Sequence, residues 1–486
     1  MLADEETPLL VQDSDEDHGV SSRTARTPLP WRQFSILLLL QLVEPLTSQV
    51  IAPFLPQLVR EIGITHGDES QVGYYVGLMH SLFFITEACT IFHWSRLSDR
   101  IGRKPVLLTG LFGLSISMYS FGLSKTFWGV VLSRCLNGAL NGNIGIMKTM
   151  IGELTDSTNI ALAFSFMPST WFLGATAGPL IGGLLERPTE KFPGIFGDST
   201  FFNEYPYFLP CSVPATIAVI WWFIAFFFLK ETTKPQASPM EYFFGCRRNS
   251  NTPEHSSPAV ENGALTHTRE KPVPFRELLV TPVLVAAGSY ASFALIDMAF
   301  RTVVPVYLST PITVGGLGLD PSAIGIILAG SGMGNGVCQL FLLARLHGWF
   351  GAKNLCLATA LSYLPVIALL PITNWVTQAH GLNGLVWLLL GIQMLLYIFA
   401  NFSFSVIFIY INASAPNRAS VGATNGIAQM LVSLMRAIAP AAVNSAFSLS
   451  IQKHVMGGYF AYWLMVGMVG ITLIMVCSLP RKPGHV

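Results

Sequence analysis

Ser95-Arg96-Leu97-Ser98-Asp99-Arg100-Ile101-Gly102-Arg103-Lys104-Pro105 is the densest charge cluster in the ordered part of a very apolar chain. Apolar runs of roughly twenty residues, the length that crosses a bilayer, lie on both sides of it. A short basic hairpin between two such runs reads as a cytoplasmic loop between membrane helices. Its one acid, Asp99, does not follow from that reading and needs its own explanation.

Composition points the same way. The 486 residues are 51% hydrophobic and 11% charged, with a mean hydropathy of +0.53. A soluble domain carries about 25% charged residues, so most of this surface faces lipid. The net charge of +1 and the absence of a basic, aromatic-interleaved patch leave nothing for nucleic acid. Cys89, Cys135, Cys211, Cys246, Cys338, Cys356 and Cys477 are scattered, mostly inside apolar runs and without a CxxC pair. They indicate neither a disulfide framework nor a zinc site. No cleavable signal peptide is expected, because the first 30 residues are polar and acidic.

The apolar runs predict an all-α polytopic membrane protein of twelve helices in two six-helix bundles. Expected spans are about 34–56, 72–94, 105–123, 127–149, 162–185 and 207–229, then 280–308, 322–344, 354–372, 384–411, 421–447 and 458–479. The expected division is a disordered tail (1–30), a first bundle (31–229), a cytoplasmic linker (230–275), a second bundle (276–480) and a short tail (481–486). Within the first tail, Glu5-Glu6-Thr7-Pro8-Leu9-Leu10 resembles an acidic dileucine sorting signal. With the N-terminus inside, 19 Lys and Arg residues fall on the cytoplasmic side and five on the other. That bias places both termini and the linker in the cytoplasm. The membrane is the plasma membrane or the vacuolar membrane.

The halves echo one another weakly. Glu44 and Pro53 in helix 1 align with Asp297 and Pro305 in helix 7. Gly178-Pro179 in helix 5 matches Ala439-Pro440 in helix 11. The basic loop has a degraded copy, Arg345 to Lys353, that keeps Gly351 but lacks the acid. Repeated six-helix halves are a transporter design.

Three stretches resemble signatures of the major facilitator superfamily, in particular its twelve-helix drug:proton antiporter branch. The first is the loop Ser95-x-x-x-Asp99-Arg100-x-Gly102-Arg103-Lys104, in which Ser95 replaces the usual leading Gly. The second is Arg134-x-x-x-Gly138 in helix 4, and the third is Gly174-x-x-x-Gly178-Pro179-x-x-Gly182-Gly183 in helix 5. Asp99 to Pro105, with Asn425-Gly426-Ile427-Ala428-Gln429 and Arg436-Ala437-x-x-Pro440, is similar to the zinc-induced-facilitator-like group of fungi and plants. The resemblance implies a gating role for Asp99, Arg100, Gly102, Arg103 and Lys104, with Asp99 near the start of helix 11 around Ser420–Asn425. A carboxylate there meets the positive end of a helix dipole and latches the halves on the cytoplasmic side. The plainer reading of the basic residues is a positive-inside anchor. The helix 5 glycines share one face and allow close packing, and Pro179 removes a backbone hydrogen bond.

Charges inside the membrane cost a few kcal/mol if they face lipid, so they face a cavity or one another. Glu44, Glu87 and Asp297 are the proton-coupling candidates. Polar stripes at helical spacing give the cavity and substrate candidates Arg134, Asn137 and Asn141 on helix 4, Gln393, Tyr397 and Asn401 on helix 10, and Gln429 and Arg436 on helix 11. Asp297 can pair with Arg301, four residues on, or with Arg436. His80 and His93 have no second ligand at metal spacing, so no metal and no cofactor are expected.

The expected function is secondary active transport by alternating access, with the resemblance implying proton-coupled export of a small organic compound such as a drug or secondary metabolite. The alternatives are a facilitated uniporter or importer of a small nutrient, or a non-transporting receptor on the same fold. No nucleophile–base set or P-loop is present, so an enzyme is not expected. The expected partners are the organic substrate, protons and membrane lipid, with the chain a monomer.

Overall fold

The computed structural model describes residues 27–156, 159–233, 279–416 and 420–481. The dileucine-like stretch, most of the linker and Arg418 lie outside the described residues.

Twelve helical rods run up and down. The first six are α1 (Trp31–Gln49), α2 (Val72–Ile101), α3 (Arg103–Gly122), α4 (Phe127–Leu140 continued by Asn143–Leu154), α5 (Ile160–Leu185) and α6 (Phe208–Phe228). The second six open with α7 (Thr281–Ser309). The continuous run Pro321–His380 is broken at Gly351 into α8 (321–350) and α9 (352–380). Then come α10 (Gly384–Ala400 continued by Phe402–Ser414), α11 (Val421–Lys453) and α12 (Phe460–Cys477). Eight of these, or nine with the bent α2, are by length and apolarity alone long enough to cross a membrane. α1, α4 and α5 complete the twelve.

Three expectations change. The motif around Asp99 is mostly helix, because α2 continues through Ser95–Ile101 and the turn into α3 is Gly102 alone. Gly102 adopts φ 102°, ψ 160°, a region open essentially to glycine, and Gly351 adopts φ 70°, ψ 166° at the equivalent turn. Secondly, α1 stops at Gln49, so Pro53 sits in a turn before the short helix Leu55–Ile62, whereas Pro305 lies inside α7. Thirdly, α4 and α10 are each interrupted, at Asn141-Gly142 and at Asn401.

The end bearing Gly102 and Gly351 is the basic end, and the opposite one the far end. One hydrophobic core joins the halves at the far end, from Val50, Phe54 and Met79 to Phe300, Ile324 and Val443, and runs on through the second half to Ala352, Tyr410 and Leu479 at the basic end. At the basic end the first half keeps a separate core of Phe34, Leu37, Leu107, Leu111, Met147 and Ile151.

The halves meet chiefly through two helix pairs, both closest in their far portions. α5 approaches α8 so closely that a Cβ on Gly183 would sit 2.4 Å from the Pro321 carbonyl oxygen. α2 approaches α11 likewise, and a Cβ on Gly77 would sit 2.5 Å from the Pro440 carbonyl oxygen. Small residues make these crossings possible. The other glycines of the helix 5 motif serve their own half: Gly174 packs on Pro45, Gly178 on Gln49 and Gly182 on the Val50 carbonyl. The expected single-purpose face therefore splits into three glycines against α1 and one against the other half.

Candidate functional site

Polar contacts across the halves reinforce the far end. Arg60, oriented by Glu69 at 2.9 Å, donates to the Ser309 hydroxyl (2.6 Å) and carbonyl (3.0 Å) at the end of α7. Lys191 pairs with buried Glu186 at 2.7 Å and donates to the Gly183 carbonyl (2.7 Å) and the Ser322 hydroxyl of α8. The Tyr74 amide donates to Ser448 (2.8 Å) and the Ala441 amide to Ser81 (2.9 Å), joining α2 to α11. The far side is thus fastened shut. Towards the basic end, α2 leaves Cys89, Ser95, Asp99 and Arg100 exposed and α11 leaves Gly426 and Met430 exposed.

The residues expected to gate lie at the basic end. Asp99 accepts from Arg103 at 2.5 Å and is 59% exposed. Its hydrogen bond and ion pair are with Arg103, and not with the start of α11. Arg103 is largely buried and also donates to Ser98 (2.7 Å) and pairs with Glu153 of α4 (3.2 Å). Glu231, just beyond α6, caps the start of α3, accepting from the Arg103 amide (2.9 Å) and the Lys104 amide (3.0 Å). Lys104 donates from its side chain to the Phe226 carbonyl at 2.8 Å, and Arg100 is exposed. Glu231 and Glu153 were missed by sequence reasoning. The signal was available: an isolated Glu follows directly where helix 6 ends, and another lies near the end of helix 4.

The intramembrane charges gather in one region. Glu44 lies within electrostatic reach of Arg436, Arg301 and Lys148, and Glu87 within reach of Glu44 and Arg436. The Glu44 carboxyl has no hydrogen-bond or ion-pair partner among the described residues. Glu87 accepts a bond of 3.3 Å from Asn141, the residue at the break in α4. Asp297 is buried, accepts from the Tyr397 hydroxyl at 2.7 Å and faces Arg301 at 3.7 Å. The open question of its partner is answered in favour of Arg301.

The remaining candidates divide. Tyr397 and Asn401 line a cavity between the halves, at the crossing of α5 and α8. Asn401 bonds back to the Tyr397 carbonyl at 2.9 Å at the break in α10. Gln429 and Arg436 are half-buried on α11. Three candidates fasten helices instead of lining a cavity. Asn137 donates to Ser117 of α3 at 2.8 Å, and Gln393 donates to the Val366 carbonyl of α9 at 2.8 Å. Arg134 is 2% exposed, stacked 4.8 Å from the Phe83 ring, with Nε and Nη1 unpartnered. Periodicity identifies an inward face but cannot tell a cavity wall from a helix–helix seam. Trp171, Arg301 and Asn335 also line the cavity and were not among the expected lining residues. Among the described residues, no cluster of three or more His, Cys, Asp or Glu could hold a metal.

Residues 37–440 match the family model described as Major Facilitator Superfamily. The chain is 30% identical, over 92% of its length and 89% of the relative's, to the major facilitator-type transporter psiT2 of Psilocybe cyanescens. It is 29% identical to the efflux pump azaK of Aspergillus niger, covering 100% of this chain and 96% of that one. It is 28% identical to Protein ZINC INDUCED FACILITATOR-LIKE 1 of Arabidopsis thaliana, covering 87% and 85%. Among solved structures, a D-xylose-proton symporter superposes with a TM-score of 0.65 at 15% identity, covering 94% of this chain and all of that one. These are transporters, not enzymes.

Proposed function

The chain belongs to the Major Facilitator Superfamily of membrane transporters, and we propose that it couples proton movement to the export of a small organic compound by alternating access. The observation that carries this reading is the pair Glu44 and Glu87. The two carboxyls lie within electrostatic reach of each other in a region that also holds Lys148, Arg301 and Arg436, and in this reading they exchange protons with whichever side is open. In this reading the basic end faces the cytoplasm, following its excess of Lys and Arg. The conformation described then loads from the cytoplasm.

The return conformation needs the opposite closure. There Asp99 leaves Arg103 and meets the start of α11, while Arg60 and Lys191 release Ser309 and Ser322. Each clamp is a handful of hydrogen bonds worth roughly 0.5–3 kcal/mol apiece, so a proton gradient can move the balance. The efflux-pump relative supports the direction of transport.

The test is flux in proteoliposomes under an imposed pH gradient. Wild type should show gradient-driven movement, and Glu44→Gln or Glu87→Gln should cut it at least tenfold while leaving gradient-independent exchange. Flux indifferent to both substitutions sinks the assignment of the proton site. Flux indifferent to the gradient itself replaces proton coupling with facilitated diffusion.

A further inference from the structure

The break in α4 is held by α2. At Asn141 the chain leaves the helix, and its amide bonds to the Gly138 carbonyl, three residues back instead of four, at 3.1 Å. The Ala139 carbonyl beside the break accepts from the Trp94 indole of α2 at 2.7 Å. Gly138 packs on the Phe83 carbonyl and Gly142 on the Trp94 side chain. Beyond the break, the second segment of α4 carries Lys148 and Glu153, and Glu153 holds Arg103 at the basic end.

One side chain at this break is only half matched. Asn141 is 1% exposed and donates from Nδ2 to Glu87 Oε1 at 3.3 Å. Its Oδ1 is buried and has no partner among the described residues. A buried carbonyl oxygen left unmatched costs free energy. An ionised carboxylate cannot match it, because it only accepts, whereas a protonated one carries an O–H donor. A carboxylic acid and a primary amide pair in both directions, amide N–H to acid C=O and acid O–H to amide C=O. The observed bond is the first half of that ring, and Oδ1 is the acceptor for the second. The charged groups within reach of Glu87 are Glu44 of α1 and Arg436 of α11, and Lys148 stands seven residues beyond Asn141 on α4. None of these donates a hydrogen bond to Oδ1.

We propose that Asn141 is the positioning residue for a proton on Glu87: the neutral acid closes a two-bond ring with the Asn141 amide and pins the break of α4 to α2. This rests on the transport reading above and deepens it by assigning the partner of one of its two carboxyls. The proton passes between water and Glu87 Oε2, and its departure reduces the ring to the single bond from Nδ2. The proton thereby sets how firmly the segment bearing Lys148 and Glu153 is tied to α2. Glu87→Gln supplies the ring without a proton, because its amide nitrogen donates where the acid O–H would.

The test uses the full-length protein in lipid nanodiscs and infrared difference spectra between pH 5.5 and 8. The acid carbonyl band of Glu87 is identified by its loss in Glu87→Gln. In the wild type this band should lie at the low wavenumber of a doubly hydrogen-bonded acid, a reading that needs no change at Asn141. In Asn141→Leu and Asn141→Ala it should move to higher wavenumber. Melting at pH 8 gives a second readout: Glu87→Gln should melt about 1–2 °C above Glu87→Leu, and that gap should vanish when Asn141→Leu is added to both. A band at the position of a free acid, a band that ignores the substitutions at Asn141, no Glu87-dependent band at pH 5.5, or a melting gap that persists without Asn141 overturns the proposal. Flux under a pH gradient separates this from the transport reading. A Glu87 band that titrates but ignores Asn141 keeps the proton site and removes this role, whereas an intact band shift with flux indifferent to the gradient removes proton coupling and keeps the ring.

Discussion

The turns at Gly102 and Gly351 have nearly the same backbone and opposite chemistry. Both join antiparallel helices through one glycine with positive φ and ψ near 160°. Around Gly102, acids do the fastening: Glu231 caps the first amides of α3, while Arg103 gathers Asp99, Ser98 and Glu153. Around Gly351 a lone base does it: Lys353 donates to the Cys477 carbonyl (2.8 Å) and the Leu479 carbonyl (2.5 Å) at the end of α12. The first turn ties four helices together and leaves the Asp99 carboxylate exposed. The second ties two and has no carboxylate to release. The geometry recurs between the halves, but an exposed carboxylate sits beside only the first turn.

The largest effect should separate the two glycines. A Cβ on Gly102 would lie 2.5 Å from Glu231, whereas one on Gly351 meets nothing within 4 Å. Both substitutions suffer the backbone penalty of about 1–3 kcal/mol, and only Gly102→Ala also displaces the cap. Melting in detergent should therefore fall clearly further for Gly102→Ala than for Gly351→Ala. Equal losses would mean that the Glu231 cap is incidental.

Next come the caps themselves. Glu231→Ala leaves two helix-start amides without their acceptor and should cost about 1–2 kcal/mol. Lys353→Met leaves only carbonyls at the end of α12 without their donor and should cost less than half of that. A thermal-shift ranking in the reverse order breaks the comparison.

Asp99→Asn should barely alter stability, because an exposed ion pair contributes about 0–1 kcal/mol. It should nevertheless slow transport several-fold if the carboxylate latches on α11 in the return state. Unchanged turnover would reduce Asp99 to a partner of Arg103.

The smallest effect concerns Glu186 at the far end. Burial raises its carboxyl above the ordinary range against the opposing pull of Lys191. A raised carboxyl contributes stability that is present at acid pH and lost as pH rises through its folded value. Glu186→Gln should therefore melt about 1–2 °C above wild type at pH 7, with the gap closing towards pH 4. A lower melting temperature at pH 7 would show that the Lys191 pair outweighs burial.

Much of the fold was legible because apolar run length and loop charge are carried by composition. The breaks at Asn141 and Asn401 were not, since an asparagine inside an apolar run has no signature until tertiary partners such as Glu87 and Gln339 engage it or its backbone. The motif at 95–105 read as a loop because charge usually ends a membrane helix, yet Ser98 and Arg103 have partners that let α2 continue. The far-end clamps were invisible: Arg60 and Lys191 looked like stray outer charges until Ser309 and Ser322 were brought to them by the fold. Arg301 was seen as half of an ion pair, because i, i+4 spacing reports a neighbour and not a cavity.

The most direct test of proton-driven alternation needs no substrate. Spin labels at Ser95→Cys and Ala413→Cys report the basic end, and labels at His66→Cys and Ala379→Cys report the far end, in a protein cleared of native cysteines. The account predicts two distance populations at each end, long at one when short at the other, whose ratio changes between pH 5.5 and 8. In the Glu44→Gln, Glu87→Gln double variant that ratio should no longer respond to pH. Distances that stay fixed with pH in the wild type, or that shift equally in the double variant, would contradict it.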